Sequence, residues 1–352
     1  MPLRLVDNPP NPYLSDQREW LEPPPEAKLE VYEEHAKTII TQNDSPDISF
    51  RWSVNPYRGC QHSCAYCYAR PYHEYLGMGA GTDFDTKIVA KVNAPDLLRD
   101  ELQKRSWSGE WIVFSGVTDC YQPLEAVYQL TRRCVEVCLE RSNPMSIITK
   151  SYLVCRDAEL LGELHRKAGC SVFVSIPFAD DKTAKLIEPQ APPPSRRFES
   201  VRRLTAAGVP VGVMVAPIIP GLNDKEIPAI IKAASEAGAK LAGYTALRLA
   251  GSVAPVFLER LKAAMPLRAA RIEARIRDMR EGKLNDSRFG KRMRGEGNYW
   301  KNIKALFDLS LRRYGLADTP KQSAIHRGED LPHRPSTDAA PPFVQLAFDF
   351  GK

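Results

Sequence analysis

Between residues 50 and 250 the chain alternates short β-branched apolar runs with segments of helical spacing, and this repeat restricts the fold more than any other feature. The runs fall at 111–114, 145–149, 171–175, 211–215 and 241–247, with one more near 50–54. Each is short enough to be a strand buried on both faces. The stretches at 94–105, 124–141, 156–168, 195–207 and 224–237 predict helices, with Asn223 ahead of the last and Gly208 and Gly238 at helix ends. Repeated strand–helix–strand units imply a parallel sheet, whose chemistry belongs in the loops at the carboxyl ends of the strands. About six such units suit a partial (β/α)6 barrel of the TIM type better than the eight of a closed one. A doubly wound open sheet is the alternative.

The flanks differ in character. Residues 1–50 read as an N-terminal extension, proline-broken at first and then helical over 26–40. Residues 51–260 form the core, 261–316 a helical basic region, and 317–352 a flexible tail rich in Pro, Asp, His and Ser. No run approaches the ~18 apolar residues of a membrane span, and charges and prolines occupy the place of a secretory signal's apolar region. A cytoplasmic protein is therefore expected, without a membrane partner. In a reducing compartment the eight cysteines point to metal binding or catalysis rather than to disulfides.

Three of those cysteines cluster in Asn55-Pro56-Tyr57-Arg58-Gly59-Cys60-Gln61-His62-Ser63-Cys64-Ala65-Tyr66-Cys67-Tyr68-Ala69-Arg70. The spacing C-x3-C-x2-C offers three thiolates with no fourth cysteine nearby. Cys60, Cys64 and Cys67 can then bind three irons of a cubane cluster and leave the fourth open. A structural zinc site is the alternative, with His62 as fourth ligand, although tetrahedral zinc favours paired knuckles.

This block, set after the first strand of a βα repeat, resembles the signature of the radical S-adenosylmethionine (SAM) superfamily, and the longer string resembles its spore-photoproduct-lyase-like branch, in particular bacterial members without an assigned substrate. The likeness runs over about residues 35–313. It implies a radical SAM core holding a [4Fe-4S] cluster on Cys60, Cys64 and Cys67, with SAM chelating the open iron. It also implies reductive cleavage of SAM to a 5′-deoxyadenosyl radical, with electrons from a reductase or flavodoxin-type donor. By the same resemblance Lys150 pairs with the methionyl carboxylate, Ser175 binds the ribose, and Ala216 lies on the adenine side with Tyr66 over the base. The family's usual Gly-Gly-Glu is missing from Ser115-Gly116-Val117-Thr118-Asp119-Cys120. Spore photoproduct lyases use a hydroxyl there, which corresponds to Thr118, with Ser115 as a second candidate; a turn cap is the plainer role for Thr118. Their hydrogen-donating cysteine corresponds to Gly116. Cys120 lies on the same loop as a substitute donor or as a buried structural thiol, so repair of spore photoproduct itself is not expected.

Two further segments suggest partners. Residues 260–294 hold 12 Lys/Arg against 4 Asp/Glu. A helix from 266 with Ile272, Ile276 and Met279 on its inner stripe leaves Arg268, Arg271, Arg275 and Arg277 outside it. With Phe289, Tyr299 and Trp300 nearby, this basic segment suits phosphate contact and base stacking, hence nucleic acid and a DNA-repair-like role; an ordinary solvated helix face is the alternative. The apolar end, Gln345, Leu346, Phe348 and Phe350, resembles a bacterial sliding-clamp-binding peptide, with Phe348 in place of the customary leucine.

Overall fold

The structure is a computed structural model and describes residues 11–13 and 28–318. Its strands are β1 (Glu30–Glu34), β2 (Ile40–Gln42), β3 (Trp52–Val54), β4 (Tyr57–Arg58), β5 (Lys87–Lys91), β6 (Ile112–Phe114), β7 (Met145–Thr149), β8 (Cys170–Ser175), β9 (Val211–Ile218), β10 (Leu241–Ala246) and β11 (Ala317–Asp318). The main sheet runs β11-β10-β9-β8-β7-β6-β3-β2, and only the β2–β3 pair within it is antiparallel. Six neighbouring parallel strands, β3 and β6 to β10, are thus the barrel units expected from the repeats, in an α/β sheet that does not close. Their apolar residues face helices, and the largest buried cluster runs from Val54 through Val172 and Val213 to Phe307.

The helices between the strands follow the predicted order, with one informative break. In place of one helix over 124–141 there are two, Glu125–Tyr128 and Leu130–Arg141, separated by Gln129 in a left-handed conformation. The buried Glu125 carboxylate accepts the N–H groups of Thr131 (2.9 Å) and Arg132 (3.1 Å), orphan donors of the second helix's first turn. No periodicity reports such a cap, because it comes from the previous helix.

The helix expected over 26–40 is not formed. Among its described residues lie β1 and the start of β2, and β1 pairs in parallel with β5, a strand the apolar runs did not reveal. Cross-strand pairing outweighs the helix propensity of a Glu-rich segment, with Val31 packed against Tyr57 and Ile88. On its other side β5 pairs antiparallel with β4, inside the cysteine block, so this three-stranded sheet is the floor of that loop. At the other end, Ala317 and Asp318, assigned to the tail, add β11 to the main sheet beside Leu241 and Ala242. The clamp-like residues Gln345 to Phe350 lie outside the described residues. Among the described residues no helix is long and apolar enough to cross a membrane.

Candidate cluster and cofactor site

The cysteine loop leaves β3 at the carboxyl edge of the sheet and is braced from three directions. Gly59 takes φ +77°, and a methyl group on it would meet the Lys87 carbonyl oxygen at 2.9 Å. This tight turn lets Cys60 N–H donate to Phe84 O at 2.9 Å. From the loop after β6, Gln122 accepts from Gln61 N (3.0 Å) and donates to Gly59 O (3.1 Å). From within the loop, the fully buried Arg70 donates to Cys64 O (2.8 Å), Ala80 O (2.8 Å), Gly81 O (2.8 Å) and Asp85 (2.8 Å). Arg260, on the helix Val253–Ala264, completes the brace by donating to Ser63 O (2.9 Å) and to the same Asp85.

The three cysteines are free thiols, Cys60 and Cys64 buried and Cys67 half-buried. Burial pushes Cys60 well above the usual thiol value and Cys64 up to about 12, so a metal must displace protons to bind. Lys150 opposes the rise at Cys64 and Cys67, and Arg70 opposes it at Cys67. Cations around buried sulfurs suit an anionic iron–sulfur centre. Three thiols and no fourth cysteine on the loop match a cubane whose fourth iron is left to another ligand, whereas tetrahedral zinc favours four protein ligands. The donors fit the cluster.

His62 is turned with one ring nitrogen toward the loop after β6. It is buried, and its Nδ1 lies 3.3 Å from Asp119. Asp119 also accepts from Thr149 Oγ1 (2.7 Å), Lys150 N (2.8 Å) and Tyr121 N (2.9 Å), which ties the end of β7 to the loop after β6. Burial alone would raise the Asp119 carboxyl, but His62 and these hydrogen bonds outweigh it and hold it at about 2.

Lys150 follows β7 and lies over the Tyr66 ring at 5.7 Å. Burial works against its ammonium, yet Cys64 and Glu188 beside it hold its pKa above the usual lysine value. The Tyr66 hydroxyl donates to Glu188, which is paired with the fully buried Arg197. Arg197 in turn donates to Ser175 O at 3.1 Å, at the end of β8. Lys150, Tyr66 and Ser175 are therefore joined to Cys64 by one charged network. Ala216 is half-buried where β9 bulges: Val215 faces Tyr244 and Ile218 faces Ala246, so two residues oppose Thr245.

Other candidates have local work. Thr118 Oγ1 donates to Tyr57 O (3.0 Å) and accepts from Asn55 (2.8 Å), so it ties the loop after β6 to the start of the cysteine loop rather than capping its own turn. Ser115, at φ 77°, accepts from Cys120 N at 2.8 Å. Cys120 is fully buried in the core with Cys134, and burial pushes its thiol well up. Sequence reasoning assigned nothing to Asp85, Asp119, Glu188, Arg197 or Arg260. Several of their partners sit far along the chain, 122 residues away for Glu188 and Tyr66 and 197 for Arg260 and Ser63, and no local pattern carries such pairs.

A family model described as the radical SAM superfamily matches residues 54–234. A protein of uncharacterised function from Mycobacterium tuberculosis is 38% identical over 221 residues, 62% of this chain and 65% of its own length. Another, from Methanocaldococcus jannaschii, is 32% identical over 200 residues, 57% of this chain and 72% of its own length. The chain thus spans about 65% of the mycobacterial relative's length. Among solved structures, spore photoproduct lyase complexed with dinucleoside spore photoproduct superposes with a TM-score of 0.58 at 14% identity, over 82% of this chain and 81% of that one. That likeness is one of fold. With a braced three-cysteine loop at the carboxyl edge of a six-unit parallel sheet, and a family match across that region, the chain belongs to the radical SAM superfamily.

Proposed function

We propose that this protein is a radical SAM enzyme that acts on nucleic acid in a DNA-repair-like reaction and is not a spore photoproduct lyase proper. Cys60, Cys64 and Cys67 would hold the [4Fe-4S] cluster, Lys150 would take the methionyl carboxylate, and Tyr66, Ser115, Thr118, Ser175 and Ala216 would border the rest of SAM. When bound, cluster and cofactor supply a reductive source of an organic radical. The chain's own part is to bind, orient and exclude water: Arg70, Asp85 and Arg260 fix the loop, and Glu188 with Arg197 fixes Tyr66.

The observation that carries the nucleic-acid reading is a set of exposed aromatic rings directly after the cluster cysteines. Tyr68, Tyr72 and Tyr75 are 46%, 53% and 65% exposed. Exposed rings suit base stacking. The reading against lyase proper rests on Gly116, where an added Cβ would press on Ser53 at 3.1 Å, leaving little room for a thiol side chain.

The test is anaerobic turnover of reduced, reconstituted protein with SAM and single- or double-stranded oligonucleotides bearing thymine lesions, following 5′-deoxyadenosine. Release stimulated by an oligonucleotide is expected. Stimulation by peptides or small metabolites but never by an oligonucleotide would replace this reading.

A further inference from the structure

Half of the twelve cations in the basic segment are already spent on the fold. Arg260 holds Asp85, Arg277 pairs with Glu273 (2.7 Å), Arg288 with Asp286 (2.6 Å), Lys291 with Glu296 (2.7 Å) and Arg292 with Asp47. Arg280 is buried and donates to the carbonyls of Leu247, Lys291 and Arg292. The segment is therefore not a uniform basic face.

Arg268, Arg271 and Arg275 differ. Their spacing puts them on one side of the helix Pro266–Asp278, next to its buried stripe of Ile272 and Ile276. Arg271 has no ion pair among the described residues, Arg268 reaches only Gly221 O at 3.4 Å, and the Arg275 carboxylate partner, Asp278, is 3.7 Å away. Together with Lys225 and Tyr299 they line a cleft of about 190 Å³ against the loop after β9. One carboxylate lines it, Asp224, and its oxygens are taken by Gly221 N (3.0 Å) and the Tyr299 hydroxyl. Arg275 lies 4.6 Å over the Tyr299 ring, and Gly221, at φ +78°, lets the loop approach so closely that a Cβ there would touch Arg275 Cγ at 3.3 Å. Lys225, Arg268, Arg271 and Arg275 outnumber the acids near them, Asp224 in the cleft and Glu226 and Asp278 beside it, so the cleft keeps a positive charge that an anion would offset.

We propose that this cleft binds backbone phosphate of a polynucleotide substrate. The proposal rests on the nucleic-acid reading above and gives it a place of contact separate from the cofactor residues. SAM has one carboxylate, assigned above to Lys150, and no phosphate, whereas guanidinium forks match phosphate oxygens.

The experiment measures anisotropy of a labelled oligonucleotide on anaerobic holoprotein over a salt series. Wild type is compared with Arg268→Gln/Arg271→Gln, with Arg271→Gln alone, and with a charge-matched control, Arg202→Gln/Arg203→Gln. Thermal midpoint and visible absorption verify each fold, and the exposed single variant serves if the double one fails that check. Losing two phosphate contacts should lower affinity roughly 10- to 100-fold at low salt and reduce the slope of log K against log salt by about 2, or by about 1 for the single variant, with the control unchanged. Equal affinity and slope in variants and control would overturn the site alone. No oligonucleotide binding by wild type would overturn the nucleic-acid reading with it. Competition by inorganic phosphate or a mononucleotide as strong as by unlabelled oligonucleotide would assign the cleft to free phosphate and overturn the polynucleotide.

Discussion

At the scale of single residues, Lys150 is the cation best placed for a carboxylate, since it stands between Cys64 and Glu188 and forms no salt bridge among the described residues. Lys150→Ala should keep the visible absorption of the cluster and weaken SAM binding by ~1.5–3 kcal/mol, the range of a charge-assisted contact, read by anaerobic calorimetry. Unchanged SAM affinity removes Lys150 from the site. Asp119 carries a pH signature. Its folded-state value of about 2 lies below the usual 3.8, so its stabilisation is complete above about pH 4 and fades as pH falls toward 2. Wild type should exceed Asp119→Asn by about 2–3 kcal/mol in urea unfolding at pH 6 and converge with it near pH 2. A gap that persists at low pH would mean that steric fit, not charge, holds His62.

Among elements, the cysteine loop depends on the turn at Gly59 and on its floor, β5. Gly59→Ala forces a Cβ against the Lys87 carbonyl and should cut iron incorporation severely, while the far-UV circular dichroism of the sheet and helices persists. Full iron loading of that variant would show that the floor yields. The same region marks how far sequence reasoning reaches. The strands β6 to β10 were legible because each is a β-branched run between helical periods, and the cluster cysteines because ligand spacing is itself local. The N-terminal segment was misread because Glu30–Glu34 becomes a strand only by pairing with β5, more than 50 residues away in sequence. The split at Gln129 and the acids Glu125, Glu188 and Asp119 were invisible for a related reason, since their meaning lies in partners supplied by other elements.

For the whole molecule, the open sheet leaves β2 at one edge and β11 at the other. The sides are tied by Asp47, between β2 and β3, which accepts from Gly290 N and Arg292, while Met293 O of the same segment receives Ala246 N at the end of β10. Asp47→Ala should loosen this tie, expose the interior and bleach the reconstituted cluster several-fold faster in air; a bleaching rate equal to wild type would assign the tie to fold stability alone. The exposed tyrosines follow the cluster cysteines, whereas Arg268, Arg271 and Arg275 lie on the helix Pro266–Asp278, so a substrate that touches both sets would bridge two separate elements.

The Arg260 brace also sets a schedule. Ser63 and Asp85 emerge from the ribosome long before Arg260, 197 and 175 positions later, and the matched family region itself stops at 234. A nascent chain therefore presents its cysteines before the clamp that shapes them exists. The shape of the loop is thus completed only once Arg260 has been synthesised.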